Sequence, residues 1–131
     1  MSDAPNTDEV RREAGMRTRR EVLGDEWVDR AVANTTPLTA DFQDFITRTA
    51  WGDLWQRPGL ERRERSLITL AITVALRHWD EFALHVRAAV NNGLTDDEIA
   101  EVIQHAAVYA GVPAANHAFK VAAPILAELC G

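Results

Sequence analysis

Two residues one helical turn apart, Glu81 and His85, are the pair in this sequence best suited to acid–base chemistry. A carboxylate beside an imidazole fixes its tautomer and raises its pKa, which gives a proton donor or acceptor near neutral pH. Phe82, Val86 and Ala89 would keep water from such a site. A Glu–His pair is also common on helix surfaces, so the chemical and the structural readings both stay open. His78 precedes the pair by three residues. On a helix turning about 100° per residue, His78, Glu81 and His85 fall within about 60° of one another. His105 or His117 could join them around a metal ion, but this spacing is not a standard zinc signature, and no metal is expected.

The second chemical feature is a cluster of arginines, Arg62, Arg63 and Arg65, just ahead of the uncharged run Leu67 to Leu76. A guanidinium grips a carboxylate through two parallel hydrogen bonds. Thirteen of the fourteen basic residues are arginine, which genome composition alone could produce. An aromatic stripe, Phe42, Phe45, Trp51 and Trp55, could wall a ligand, although such stripes more often pack a core or a subunit interface. Cys130 stands at the tail with no base beside it in sequence. Neither Gly-x-Ser-x-Gly, a Rossmann fingerprint nor a P-loop is present, so no nucleotide or flavin is implied.

These residues need a scaffold, and 131 residues suffice for one domain with its own core, 1–131, loose over 1–6. The net charge of −6 argues against a nucleic-acid partner. One cysteine allows no internal disulfide. The uncharged run is too short to span a bilayer, and no secretory h-region follows Arg19-Arg20. A cytoplasmic protein is expected. The periodicity predicts helices over about 8–22, 26–34, 39–55, 61–76, 81–92, 95–109 and 114–129, and no sheet. Thr7 or Asp8 should cap the first helix, Asp80 the fifth, and Thr95-x-x-Glu98 the sixth as a capping box. The fourth helix should be central, being apolar on all sides. Pro124 should kink the last helix or confine it to an end. His105 and His117 should lie near the core faces of their helices. The first helix is so polar that it must lie against something.

Four stretches carry a family resemblance: RREVLGDEWVDRA (19–31), FQDFITRTAWGDLWQRPGLERRERSLITLA (42–71), LHVRAAVNNGLTDDEIAEV (84–102) and YAGVPAANHAF (109–119). In this order they resemble the 4-carboxymuconolactone decarboxylases. The resemblance implies an all-α, alkylhydroperoxidase D-like bundle of six to seven helices, assembled as a homo-hexamer with sites between protomers. It implies cofactor-free conversion of 4-carboxymuconolactone to 3-oxoadipate enol-lactone and CO2, in the protocatechuate branch of the β-ketoadipate pathway. The related thiol peroxidases carry a glutamate, a C-x-x-C pair and a histidine. Aligned on His85, those positions hold Ser66, His78 and Glu81. The histidine is kept and both thiols are gone, which argues against peroxidase activity.

The chemistry implied suits these residues. The substrate is its own electron sink, since the electrons of the departing carboxylate flow through the ring double bond to the lactone carbonyl. The protein must hold two carboxylates, stabilise an oxyanion and let a proton reach carbon. Arg63 and Arg65 are expected to bind the carboxylates, Trp51 to wall the substrate, and His85 with Glu81 to act on the proton or the oxyanion. The alternatives are another lactone or β-keto acid as substrate, or a non-catalytic oligomer.

Overall fold

The computed structural model describes residues 7–130 and divides into two compact units, Met1–Gly59 and Leu60–Gly131. The first holds α1 (Asp8–Leu23), α2 (Asp25–Ala33) and α3 (Ala40–Ile46), which runs on as a π-helical segment, Thr47–Leu54. The second holds α4 (Arg62–Leu76), α5 (Trp79–Asn91), α6 (Asp96–Ala110) and α7 (Val112–Cys130). No strand occurs among the described residues, as the absence of period-two patterning requires.

In the first unit, Thr7 caps α1 by accepting from the Val10 N–H at 3.2 Å. Asp8 and Glu9 in the first turn and Arg20 in the last complement the helix dipole. The polar α1 lies on the π-helical segment. A Cβ on Gly15 would stand 2.0 Å from the Thr47 carbonyl oxygen, and one on Gly52 2.4 Å from that of Arg11. Only hydrogen fits where the two backbones cross. Around the crossing, Arg11 grips Asp53 through two bonds of 3.0 and 2.6 Å, and Arg12 and Arg48 share Asp44. Those guanidiniums push the Asp44 carboxyl down to about 2. Arg19 is buried and donates to Thr47 and Gln43, and its guanidinium lies 5.5 Å from the Trp27 ring.

The π-helical segment closes with the Trp55 N–H on the Ala50 carbonyl, five residues back. Trp51 and Trp55 stack at 5.2 Å, and both are buried. Phe42 and Phe45, in the same predicted stripe, are exposed.

The core of the second unit centres on Leu70, Val74, Phe82, Val86, Ile99 and Ile103, with alanines of α7 closing against them. Small residues let α7 approach closely, and the helix continues through Pro124, which is exposed, to Cys130. Pro124 thus lies inside the helix and is not confined to an end. α4 opens on a capping box, Glu61 with Glu64, and buries one face only: Ser66, Leu70, Thr73 and Val74. Its other face, Ile68, Ile72 and Leu76, is exposed within the chain, so the run expected to be central is amphipathic by position instead of by composition.

The α4–α5 turn also differs from expectation. Arg77 adopts a left-handed conformation (φ 59°) and ends α4, and the His78 N–H returns to the Thr73 carbonyl at 2.9 Å. One left-handed residue reverses the chain, so α5 starts at Trp79 with His78 as its N-cap, and Asp80 lies inside the helix. Thr95 and Glu98 form the predicted capping box of α6. His105 and His117 are both exposed, contrary to expectation. His105 stacks on Tyr109 at 5.2 Å, and His117 lies 4.5 Å from Trp79.

Candidate active site

His85 sits two turns into α5, on the face that also buries Phe82, Ala88 and Ala89. Only 6% of its surface is exposed. Burial holds its pKa down to about 4, because a low-dielectric site disfavours imidazolium. Near neutral pH it is a neutral imidazole, offering one N–H donor and one acceptor nitrogen. This reverses the expectation of a raised pKa. No carboxylate contributes to the shift, and Glu81, one turn earlier, is exposed and does not bond to His85 among the described residues. α5 turns its buried stripe inward at His85, which leaves Glu81 at the edge towards solvent.

α4 supplies the arginines from its first turn. Cations there oppose the helix dipole, by about 0.3–1 kcal/mol each, and concentrate positive potential at one end. Arg63 is spoken for: its guanidinium pairs with Glu98, which lowers the Glu98 pKa and raises its own. Since Glu98 also caps α6, this ion pair ties the start of α4 to the start of α6. Arg65 is half-buried with its Nε fully enclosed. Beside it, Ser66 is wholly buried and accepts from the Asn92 side-chain amide at 2.9 Å. That bond joins α4 to the far end of α5. His85 lies seven residues before Asn92, or about 10 Å along the helix axis. His85, Glu81, Arg63 and Arg65 therefore share one helical pair, while Trp51 belongs to the first unit, stacked on Trp55. Sequence reasoning missed the bond between Ser66 and Asn92, for neither residue carries a local signal of its partner.

Among the described residues no three His, Cys, Asp or Glu side chains converge where they could hold a metal ion. His78 is exposed at the helix cap, on the other side of the buried boundary from His85. No helix among the described residues is long and apolar enough to cross a membrane.

The family model for carboxymuconolactone decarboxylase matches residues 40–124, which spans α3 to α7 and includes every candidate above. The chain belongs to the carboxymuconolactone decarboxylase family. Two relatives align with nearly all of it. A 4-carboxymuconolactone decarboxylase of Acinetobacter baylyi is 47% identical over 122 residues, 93% of this chain and 91% of the relative. The nitrosuccinic acid decarboxylase npaB of Metarhizium robertsii is 48% identical over 122 residues, 92% of this chain and 85% of the relative. The carboxymuconolactone decarboxylase family thus presents this chain with two relatives of nearly equal similarity, both decarboxylases by name and different in substrate.

Proposed function

We propose that this protein is a carboxy-lyase that converts 4-carboxymuconolactone to 3-oxoadipate enol-lactone and CO2, in the protocatechuate branch of aromatic catabolism, in the cytoplasm, as a homo-oligomer of hexameric order. The observation that carries the reading is a histidine that burial keeps neutral on a helix paired with an arginine-rich one, in a chain 47% identical to an enzyme of that name.

The carbon–carboxylate bond breaks, CO2 leaves, and the electron pair passes through the ring double bond onto the lactone carbonyl oxygen. The neutral His85 donates its N–H to that oxygen as charge develops, which stabilises the transition state more than the ground state. A neutral imidazole serves this role without releasing a proton to the oxyanion. A proton from water then adds at carbon to give the enol-lactone. Arg65 holds a substrate carboxylate. Arg63, engaged with Glu98, keeps α4 and α6 in register. Glu81 acts at the solvent edge. The substrate holds its own electron sink, so the step needs no other group.

The npaB relative supports a second reading, with nitrosuccinate as substrate. The chemistry is parallel: the carboxylate leaves from the carbon bearing the nitro group, and the electron pair comes to rest on nitro oxygen as a nitronate. Both substrates are dicarboxylates whose leaving carboxylate sits next to an oxygen-terminated acceptor.

The test is a direct assay. 4-Carboxymuconolactone is generated in situ with a cycloisomerase, protein is added with chelator present, and CO2 is followed together with enol-lactone. Release far above the spontaneous rate is expected. No release from folded protein overturns the lactone reading, and nitrosuccinate is then assayed in the same format.

A further inference from the structure

Asn92 is followed by Gly93, the single Asn–Gly step in the sequence. Such a step can consume its own side-chain amide. The Gly93 backbone nitrogen gives up its proton and attacks Cγ of Asn92. The Cγ–Nδ2 bond breaks, ammonia leaves with that proton, and a five-membered succinimide ring remains. Water then opens the ring at either carbonyl. One product is aspartate, and the other is isoaspartate, whose backbone is longer by a methylene. Glycine favours the attack because it has no Cβ to hinder the approach of its nitrogen.

The end of α5 opposes each part of this reaction. Asn92 caps the helix with φ −87° and ψ 7°. At that ψ the Gly93 nitrogen eclipses the backbone nitrogen of Asn92 and faces away from its Cβ. Ring closure needs it eclipsed with Cβ instead, a third of a full rotation about the Cα–C bond. That rotation is blocked by two hydrogen bonds. Gly93, at φ 94°, donates its N–H to the Val90 carbonyl at 3.0 Å, and Leu94 donates to the Ala89 carbonyl at 2.9 Å. The pair closes the helix as a Schellman motif. The first bond also holds the proton that must leave, and Leu94 is anchored in the core. The leaving group is held as well, since the Asn92 amide donates to the wholly buried Ser66 at 2.9 Å. We propose that Asn92 is a site of spontaneous deamidation, restrained by its bond to Ser66 and by the closed end of α5, and converted when that end opens. Conversion is irreversible, so it accumulates with each local opening of a turn that is briefly undone without global unfolding. The two products differ in consequence. Aspartate keeps the backbone length and can accept from the Ser66 hydroxyl. Isoaspartate lengthens the backbone inside the turn, which cannot then close both of its bonds.

The test uses the full chain held in mildly alkaline buffer, with peptide mass spectrometry to follow the exchange of NH2 for OH at each asparagine and an isoaspartate methyltransferase to label the longer product. Three samples are compared: folded wild type, wild type unfolded in guanidinium chloride, and folded Ser66→Ala. The unfolded chain should convert Asn92 faster than Asn34 or Asn116. Folded wild type should convert Asn92 at least tenfold more slowly than the unfolded chain, and Ser66→Ala at least threefold faster than folded wild type with its far-UV spectrum unchanged. If the unfolded chain converts Asn92 no faster than Asn34, there is no such site. If folded wild type converts at the unfolded rate, the end of α5 does not restrain it. A wild-type rate in Ser66→Ala overturns the part given to the Ser66 bond. Should Ser66→Ala fail to fold, Ser66→Cys, of similar size and a weaker acceptor, takes its place, and a rate no higher than wild type overturns that part in the same way.

Discussion

The buried neutral state of His85 ties the candidate site to the stability of the fold. In the unfolded chain this histidine titrates near its ordinary value of 6.5, and in the folded chain near about 4. The unfolded state therefore binds the proton more readily. The stability held by the neutral form is fully present above pH 6.5 and is lost as pH falls towards 4. Complete protonation of the unfolded state would cost the fold about 3 kcal/mol, at about 1.4 kcal/mol per unit of separation. Between pH 7 and pH 5 alone the loss is about 2 kcal/mol, from the same linkage. Urea unfolding at the two pH values measures it. Carboxylates titrate over part of this range too, so the comparison is with His85→Gln, which removes the proton site and leaves the others. Wild type should lose about 2 kcal/mol more than His85→Gln between pH 7 and pH 5. An equal loss in the two proteins would refute the buried neutral histidine. It would also remove the argument for a neutral hydrogen-bond donor in the reaction.

The same protonation state predicts that kcat/KM for the free protein shows no limb from His85 between pH 6 and 7, and that His85→Ala lowers kcat by a hundredfold or more while Glu81→Gln lowers it less than tenfold; steady-state kinetics over pH 5–8 check both. Arg65→Ala should raise KM at least tenfold and Arg63→Ala less than threefold, with Arg63→Ala leaving the urea midpoint nearly unchanged, as a half-exposed ion pair screened by solvent allows. Gly15→Ala should destabilise by about 2 kcal/mol or more, because backbone atoms of Thr47 and Gly52 occupy the space and cannot rotate aside as a side chain can; chemical denaturation measures it. Ser66→Ala should cost about 1 kcal/mol by stranding the Asn92 amide, and Asn92→Asp, which can accept from the Ser66 hydroxyl, should be tolerated far better in the wild-type background than in Ser66→Ala; urea unfolding of the three variants checks it.

The helices were legible because their signals are local. Thr7, Gly93, Thr95 with Glu98, and Gly111 end or start helices by their own backbone and side-chain chemistry, whatever lies around them. Arg77 hid the α4–α5 turn, since a left-handed arginine carries no mark that distinguishes it from a helical one. His85 was found by its spacing from Glu81, but the spacing spoke of a pair, and the protonation state depends on burial from the rest of the fold. Gly15 and Gly52 passed unread in the sequence, although glycine inside a helix costs about 1 kcal/mol against alanine and so needs a reason. The reason, two backbones in contact, is tertiary. Arg63 could not be told from Arg65 in the sequence, because its partner Glu98 lies 35 residues away.

The π-helical segment sets a limit on how this protein can change. It holds Thr47 through Leu54 in a turn one residue wider than an α-helix allows, and the places of Gly52 and Asp53 against α1 follow from that width. No exchange of side chains restores an ordinary helix there, because the extra residue remains. Deleting one residue would do so, and every following position would turn by about 100° about the axis. Gly52 would leave the crossing with α1, and Asp53 would leave Arg11. This part of the chain is therefore protected against gradual drift and exposed to a single event, a one-codon loss, that would move its aromatic pair and its helix crossing together.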